Sequence, residues 1–202
     1  MISFVQVLDL LGTFAFAVSG IRLASAKNFD WFGAYVVGFV TAIGGGTIRD
    51  LLLDVTPGWM LSDIYVICTA IALVWVVAFS KMVITMNNTI FIFDCIGLSL
   101  FTVVGVERAV SLGFPFWVGI IMGAMTGAAG GVIRDVLINE IPLIFRKEIY
   151  AIACIVGGLV YWLCDMAGLG EVLCQIICGV TVFVTRLLAV KFNICLPTLS
   201  ER

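Results

Sequence analysis

The sequence predicts an all-α, polytopic membrane protein with seven transmembrane helices, arranged as two inverted three-helix repeats and one extra C-terminal helix. Hydrophobic residues make up 62% of the 202-residue chain and charged residues only 12%, against about 25% charged in ordinary soluble domains. Seven apolar stretches approach the roughly 20 residues that cross a bilayer. The chain also aligns with itself at an offset of 85 residues, the separation of Asp9 and Asp94.

The composition excludes several classes of function. A net charge of −2 leaves no basic surplus for nucleic acid. The absence of histidine excludes histidine bases, nucleophile pairs and metal ligands. The seven cysteines form no C-x-x-C motif, so neither a zinc site nor a disulfide framework is predicted. We therefore expect no enzyme activity, no catalytic or metal site, no cofactor and no obligate soluble partner.

The predicted spans form a single membrane domain over residues 1–202, joined by short polar loops. The first repeat covers about 3–80, the second about 89–165, and the seventh helix about 171–190. The spans in order are 3–21, 31–54, 62–80, 89–106, 115–138, 148–165 and 171–190. Aromatic residues near their ends are expected to act as interfacial anchors; these are Trp31, Trp59, Trp117 and Tyr150.

The first span is predicted to be a retained helix rather than a signal peptide. Ala15-Phe16-Ala17 resembles a cleavage site, but no basic region precedes the apolar stretch. The stretch also has a copy later in the chain. Orientation follows from the excess of Lys and Arg in alternate loops, which predicts the N-terminus outside and the C-terminus in the cytoplasm. The cytoplasmic set is Arg22, Lys27, Lys81, Arg146, Lys147, Arg186, Lys191 and Arg202, against Arg108 outside.

The repeat predicts two halves of opposite orientation. Each copy holds three spans, and because three is odd the second copy enters the membrane from the other face. The match is densest where Gly45-Gly46-x-Ile48-Arg49-Asp50 falls on Gly130-Gly131-x-Ile133-Arg134-Asp135. Inverted repeats of this kind are typical of membrane transport proteins.

Glycine runs interrupt the second and fifth spans near mid-depth. The first run is Gly44, Gly45 and Gly46, and the second is Ala129, Gly130 and Gly131. Consecutive glycines favour a kink or an unwound turn, which at membrane depth is tolerated only in a protein interior or a wet cavity. These runs therefore predict broken helices along a pathway. The alternative is close helix packing without unwinding.

Charged residues follow both glycine runs directly. Arg49 and Asp50, and Arg134 and Asp135, lie within spans, where a charge persists only if it is paired or hydrated. Topology places Asp9 near Arg49 in the outer half. The matched pair, Asp94 and Arg134, lies in the inner half. We predict one ion pair at each mouth, acting as a gate; the alternative is that these pairs only brace the bundle.

The intramembrane charges do not cancel. Four aspartates against two arginines leave two surplus negative charges, and a pathway lined by such a surplus favours cations. Further oxygen atoms could come from Thr41, Thr126 and Ser19. An arginine inside a narrow pore repels cations, so both arginines fit a gate better than a selectivity element.

The doubled Gly-Gly-x-Ile-Arg-Asp motif, followed in each copy by Pro57 or Pro142 seven residues after the Asp, resembles the bacterial branch of the trimeric intracellular cation (TRIC) channel family. The resemblance covers nearly the whole chain. It implies a homotrimer in the bacterial inner membrane, with one pore in each protomer for monovalent cations, chiefly potassium, with potassium or sodium as the permeant ion. One departure is Ala129, which stands where the first copy has Gly44.

Carried over residue by residue, the resemblance places the glycines and the charged pairs that follow them along the pore. These are Gly44, Gly45, Gly46, Arg49, Asp50, Gly130, Gly131, Arg134 and Asp135. The same bacterial family is also labelled as glycine transporters. A secondary transporter of a small amino acid therefore stands as the alternative to a passive channel.

Overall fold

The computed structural model describes residues 3–79, 89–146 and 149–195. The positions predicted to carry cytoplasmic charge at Lys81, Lys147 and Arg202 lie outside these residues. The described chain folds into eight α-helices and one 3-10 turn over Leu143–Phe145. The helices are α1 (Phe4–Ala26), α2 (Trp31–Leu52), α3 (Gly58–Leu61), α4 (Ile64–Ala78), α5 (Thr89–Ser111), α6 (Phe116–Leu137), α7 (Ala151–Met166) and α8 (Glu171–Lys191).

Local sequence fixes where the first helices begin. The side chain of Ser3 accepts a hydrogen bond from the Gln6 amide at 3.2 Å, and the Gln6 side chain accepts one from the Ser3 amide at 2.9 Å. This reciprocal pair satisfies two amide groups at the start of α1. Asp30 caps the start of α2, since its Oδ1 accepts a hydrogen bond from the Gly33 amide at 2.6 Å.

Helix ends recur at matched positions of the two repeats. Asn28 and Gly113 both have a positive φ after the first helix of their repeat. Asp54 and Asn139 likewise have a positive φ after the second helix. Short polar residues and glycine tolerate this left-handed backbone, so the first two helices of each repeat are followed by the same local geometry.

Five described helices, α1, α2, α5, α6 and α8, are long and apolar enough to cross a membrane. Helices α4 and α7 are apolar but shorter, with 15 and 16 residues. Large hydrophobic side chains face outward along the bundle, including Val74 and Leu163. A soluble domain would not expose so many, and the chain is a helical membrane protein. The seven-span count stays a prediction.

The predicted breaks in the second and fifth spans are wrong. Both α2 and α6 run as continuous α-helices through the glycine runs. The glycines instead allow the two helices to cross closely. A Cβ atom at Gly45 would collide with the backbone carbonyl of Thr126, and one at Gly130 with that of Thr41. Close packing without unwinding therefore explains these glycines, since backbone atoms cannot move aside cheaply.

A pair of matched aromatic residues fills the centre between α1 and α5. The rings of Phe16 and Phe101 meet edge to face, with centroids 5.2 Å apart. Both are buried, and they occupy equivalent positions of the two repeats. Gly12 lies against Phe101, and its counterpart Gly97 lies against Phe16. Each repeat thus supplies one ring and one glycine that accepts the ring of the other.

Candidate functional site

Arginine and aspartate at the C-terminal ends of α2 and α6 form two matched charged clusters. In the first, Arg49 Nε donates to Asp50 Oδ1 at 2.8 Å. Asp50 Oδ2 accepts from the Gly58 amide at 3.2 Å. The aspartate therefore joins the arginine to the backbone of the following loop.

The second cluster repeats these bonds. Arg134 Nε donates to Asp135 Oδ1 at 2.9 Å, and Asp135 Oδ2 accepts from the Leu143 amide at 3.1 Å. Beyond this shared core the clusters differ. They differ in the hydrogen-bond partners of the two terminal guanidinium nitrogens, Nη1 and Nη2.

The second cluster is closed. Arg134 is 1% exposed, and its Nη1 donates to Asp94 Oδ1 at 2.5 Å and to Ser19 Oγ at 2.7 Å. Its Nη2 lies 2.8 Å from Asp135 Oδ1. The Tyr150 hydroxyl donates to the same Asp94 oxygen at 3.3 Å. The structure thus confirms the predicted Asp94–Arg134 pair and adds Ser19, which the sequence did not place beside it. Every guanidinium nitrogen of Arg134 has a partner in this cluster.

The first cluster is open, and the predicted Asp9–Arg49 pair is wrong for this structure. Asp9 Oδ2 accepts from the Tyr65 hydroxyl at 2.5 Å. Among the residues that the structure describes, Arg49 pairs with Asp50 instead. Arg49 is only 6% exposed, yet its Nη1 is buried without a hydrogen-bond partner.

The sequence explains part of the difference between the open and the closed cluster. Val104 of the second repeat occupies the position that corresponds to Ser19, so the first cluster lacks a counterpart of the hydroxyl that Arg134 uses. Tyr65 also binds its aspartate by a shorter hydrogen bond than Tyr150 does. The aspartate of the first repeat is therefore held by its tyrosine and does not reach Arg49.

A cavity of about 400 Å³ leads to the open cluster. Val104, Ser3 and Gln6 form part of its wall. Its charged lining residues are Asp9, Arg49, Asp50, Glu107, Arg108 and Glu171. Four are acidic and two are basic, so the lining carries two surplus negative charges. Of the residues counted in the predicted surplus, Asp9, Arg49 and Asp50 line this cavity, and the other charged lining residues were not singled out by the sequence.

Glu107 and Glu171 are these additional acidic residues. Glu107 Oε2 accepts from the Tyr161 hydroxyl at 2.6 Å and from Gln175 Nε2 at 3.3 Å. Gln175 Nε2 also donates to Glu171 Oε1 at 3.1 Å. Both glutamates lie near helix ends, where an acidic side chain normally points into solvent. Glu107 directly follows the predicted span 89–106, and this position at the end of an apolar stretch was the signal that the sequence offered.

The predicted threonine oxygens do not line this cavity. Thr41 and Thr126 are fully buried, and each hydroxyl donates to a carbonyl one turn earlier in its own helix at 2.6 Å. They lie at the crossing of α2 and α6. Their hydroxyls are therefore already used within their own helices.

The other glycines predicted to line the pore either pack against a neighbouring side chain or border a pocket. A Cβ atom at Gly44 would lie 2.7 Å from the side chain of Ile133. Gly131 lies under the Tyr150 hydroxyl. Gly46 borders a small pocket beside Arg49. Of the glycines predicted to line the pore, all of which the structure describes, only Gly46 therefore borders a pocket at the charged clusters.

Tyr150 is not the interfacial anchor that its position near a span end suggested. It is 1% exposed and bonded to Asp94. The matched residue Tyr65 binds Asp9. The alignment of the two tyrosines in the repeat was the signal that both belong to the charged clusters.

At the end of α6 that carries the closed cluster, an exposed ion pair joins the two repeats. Lys27 Nζ, in the α1–α2 loop, lies 2.5 Å from Glu140 Oε1, in the loop after α6. Arg146 Nη2 lies 3.3 Å from the other carboxylate oxygen. The hydrogen bond from Lys27 lowers the pKa of Glu140 below its usual range.

Comparison with known proteins agrees with this architecture. A family described as glycine transporter matches the chain twice, over residues 6–81 and 91–166. The two matches start 85 residues apart, the offset at which the sequence aligns with itself. The UPF0126 inner membrane protein YadS of Escherichia coli (strain K12) is 37% identical over 196 residues, covering 96% of this chain and 95% of that protein.

Solved structures are also similar. A TRIC channel orthologue from Rhodobacter sphaeroides has a TM-score of 0.89 and 34% identity, covering 94% of this chain and 98% of that one. A structure described in terms of conductance through TRIC cation channels has a TM-score of 0.87 and 33% identity, covering 99% of both chains. The chain therefore belongs to the bacterial TRIC channel family, which the glycine transporter description also covers.

Proposed function

We propose that this protein is a passive channel for monovalent cations, chiefly potassium, with sodium also permeant and no bound cofactor. The observation that carries the proposal is the cavity of about 400 Å³ inside a single chain, with four acidic and two basic lining residues. A negative surplus in a confined passage concentrates cations and repels anions. The similar solved structures are of channels, not enzymes.

The proposed pore lies within each protomer and runs from this cavity past Arg49 and Asp50 to the closed cluster. Arg134 then acts as the gate. Its guanidinium is held by Asp94, Asp135 and Ser19 in this structure, so conduction requires it to move. We propose a homotrimer embedded in lipid, because similar structures are described as trimeric intracellular cation channels.

Multi-pass insertion in the bacterial inner membrane is supported by the apolar helices and by the relative that is named an inner membrane protein. With the N-terminus outside, the cavity opens to the exterior and the closed cluster faces the cytoplasm. This structure then corresponds to a state that is open outside and closed inside.

Recording from purified protein in a planar bilayer tests the channel. We expect discrete unitary currents in symmetric potassium chloride. Arg134→Ala should raise open probability, because it removes the side chain that fills the inner passage. Its matched counterpart, Arg49→Ala, should change open probability less, since Arg49 already borders an open cavity. Absence of unitary currents from a correctly assembled protein would contradict the proposal.

A second candidate function, secondary transport of a small amino acid such as glycine, is favoured by one observation. Arg49 Nη1 is buried without a partner beside the acidic Asp9 and Asp50. A zwitterion would place its carboxylate on the guanidinium and its ammonium group on an aspartate, which satisfies both. A lone cation leaves Nη1 unsatisfied.

Uptake of labelled glycine into proteoliposomes tests this candidate. Saturable uptake that is lost in Arg49→Lys but kept in Arg108→Lys would support transport, because lysine cannot reproduce the paired donors of arginine. Arg108 is the matched control, since it lines the same cavity and is exposed. Currents without saturable uptake would reject transport.

A further inference from the structure

Helix α8 lies outside both repeats, yet one of its side chains reaches the closed cluster. Arg186 is 0% exposed, and its Nη1 donates to the Ile149 carbonyl at 2.9 Å. Its guanidinium carbon lies 4.9 Å from the centre of the Tyr150 ring and 5.5 Å from that of Phe91. A guanidinium this close to an aromatic face is attracted to it. Arg186 thus holds the Tyr150 ring and the backbone just before α7.

Tyr150 passes this restraint to the cluster. Its hydroxyl donates to Asp94 Oδ1, the oxygen that also accepts from Arg134 Nη1. The hydroxyl lies over Gly131, where a Cβ atom would come within 2.5 Å of it. The tyrosine is therefore confined on one side by Arg186 and on the other by α6.

The first repeat shows the same tyrosine without this restraint. Tyr65 binds Asp9, but in the described parts of the chain no cation is stacked on its ring. The cluster that contains Tyr65 is the open one. The two tyrosines therefore differ both in the presence of an arginine over the ring and in the state of their cluster.

We propose that Arg186 is a positioning residue that keeps the second cluster closed by fixing Tyr150 against Asp94. Helix α8 thereby controls one end of the pathway. The inference rests on the proposed function only in treating that cluster as the inner seal of the pore. The closure itself can be measured without any ion flux.

Cys154 provides the probe for this closure. It lies one turn after Tyr150, is 0% exposed, and its Sγ is 3.8 Å from the Tyr150 carbonyl. The full chain is used with its other six cysteines replaced by alanine. A membrane-impermeant methanethiosulfonate reagent is added on the predicted cytoplasmic side. We expect slow labelling in this parent and labelling at least roughly tenfold faster in Arg186→Gln, because a charge-assisted hydrogen bond and the ring contact are lost.

A double variant separates positioning from a general loss of structure. If Arg186 acts through Tyr150, Tyr150→Phe already removes the hydrogen bond from Tyr150 to Asp94 and accelerates labelling. Adding Arg186→Gln to Tyr150→Phe should then change the rate little. Arg186→Lys should lie between parent and glutamine variant, since lysine keeps the charge but not the planar stacking. If the labelling rate of the double variant instead rises by the product of the two single-variant factors, the proposal is overturned.

Thermal midpoint and size-exclusion profile are measured for every variant. Unchanged labelling in a folded Arg186→Gln protein would overturn the inference. If that variant does not assemble, Arg186→Lys decides: faster labelling supports the inference, and labelling at the parent rate overturns it. Ion flux is recorded separately, so faster labelling without any current would count against the channel but leave the role of Arg186 intact.

Discussion

Gly45 and Gly130 contact the backbone of the facing helix, and this contact determines what substitution costs. At both positions a Cβ atom would collide with a carbonyl oxygen. We expect Gly45→Ala and Gly130→Ala each to lower the free energy of unfolding by about 1–3 kcal/mol, the usual cost of overpacking. The thermal midpoint of the purified protein in detergent measures this change.

Gly46→Ala is the matched control for that experiment. A Cβ atom there would lie 3.6 Å from Arg49 Nη2, an ordinary contact. Because alanine favours helix over glycine by up to about 1 kcal/mol, Gly46→Ala should leave the midpoint unchanged or raise it. Equal losses at Gly45 and Gly46 would contradict the packing explanation and favour an unwound turn.

Asp9 and Asp94 occupy equivalent positions but should respond differently to neutralisation. Asp94 is 1% exposed and bonded to Arg134. Asp94→Asn should therefore destabilise the protein by about 3 kcal/mol, the lower end for breaking a buried pair, since Asp135 still faces the arginine. Asp9 borders a cavity wide enough for water, so Asp9→Asn should cost much less. Equal shifts in the thermal midpoints of these two variants would show that the clusters do not differ as described.

At the scale of helices, the sequence was sufficient to predict which segments carry the site but not how they pack. The charge pattern and the repeat placed Asp94 beside Arg134, whereas the contact of Arg134 with Ser19 was found only in the structure. The same glycines predicted breaks that do not exist, because a single sequence does not reveal that Gly45 meets Thr126 on another helix. An unwound turn and a close helix crossing both require glycine, so the glycine runs alone do not distinguish them.

The sequence could not predict the contacts that α8, which lies outside the repeats, makes with the closed cluster. Arg186 was counted only as a cytoplasmic charge, whereas it is buried against Tyr150. No pattern in α8 pairs it with a residue in another helix. The asymmetry between Ser19 and Val104 was visible in the alignment, but its consequence for Arg49 depends on where Tyr65 holds Asp9.

The loops between helices carry a testable ion pair. Because Lys27 lowers the pKa of Glu140, this pair stabilises the fold above the usual glutamate value of 4.5 and the contribution disappears as the pH falls through the lowered value. The difference in thermal midpoint between the parent and Glu140→Gln should be small at pH 7 and absent in strong acid. High salt should also remove it. A difference that persists under both conditions would show that Glu140 acts by something other than the pair with Lys27.

At the scale of the molecule, two similar halves adopt different states. The first ends in a polar cavity and the second in a closed cluster. Both halves have matching helix ends and matching Arg–Asp contacts. In the proposed channel, two closed gates would give no access to the interior, whereas this asymmetry would leave one side open while the other is closed.

Orientation decides which side is open. The excess of Lys and Arg in alternate loops predicts the N-terminus outside and the C-terminus in the cytoplasm. Reporter fusions at both ends should therefore be active on opposite sides of the membrane. Two ends on the same side would remove the odd span count and with it the assignment of a lone seventh helix.

Ion selectivity is the property that follows most directly from the cavity, because the charge of its lining connects the structure to the proposed function. The lining has four acidic and two basic residues, which should exclude chloride. The measurement is the reversal potential of purified protein in a planar bilayer under a potassium chloride gradient. We predict a value near the potassium equilibrium potential. A value near the chloride equilibrium potential would contradict the proposal that this protein is a cation channel.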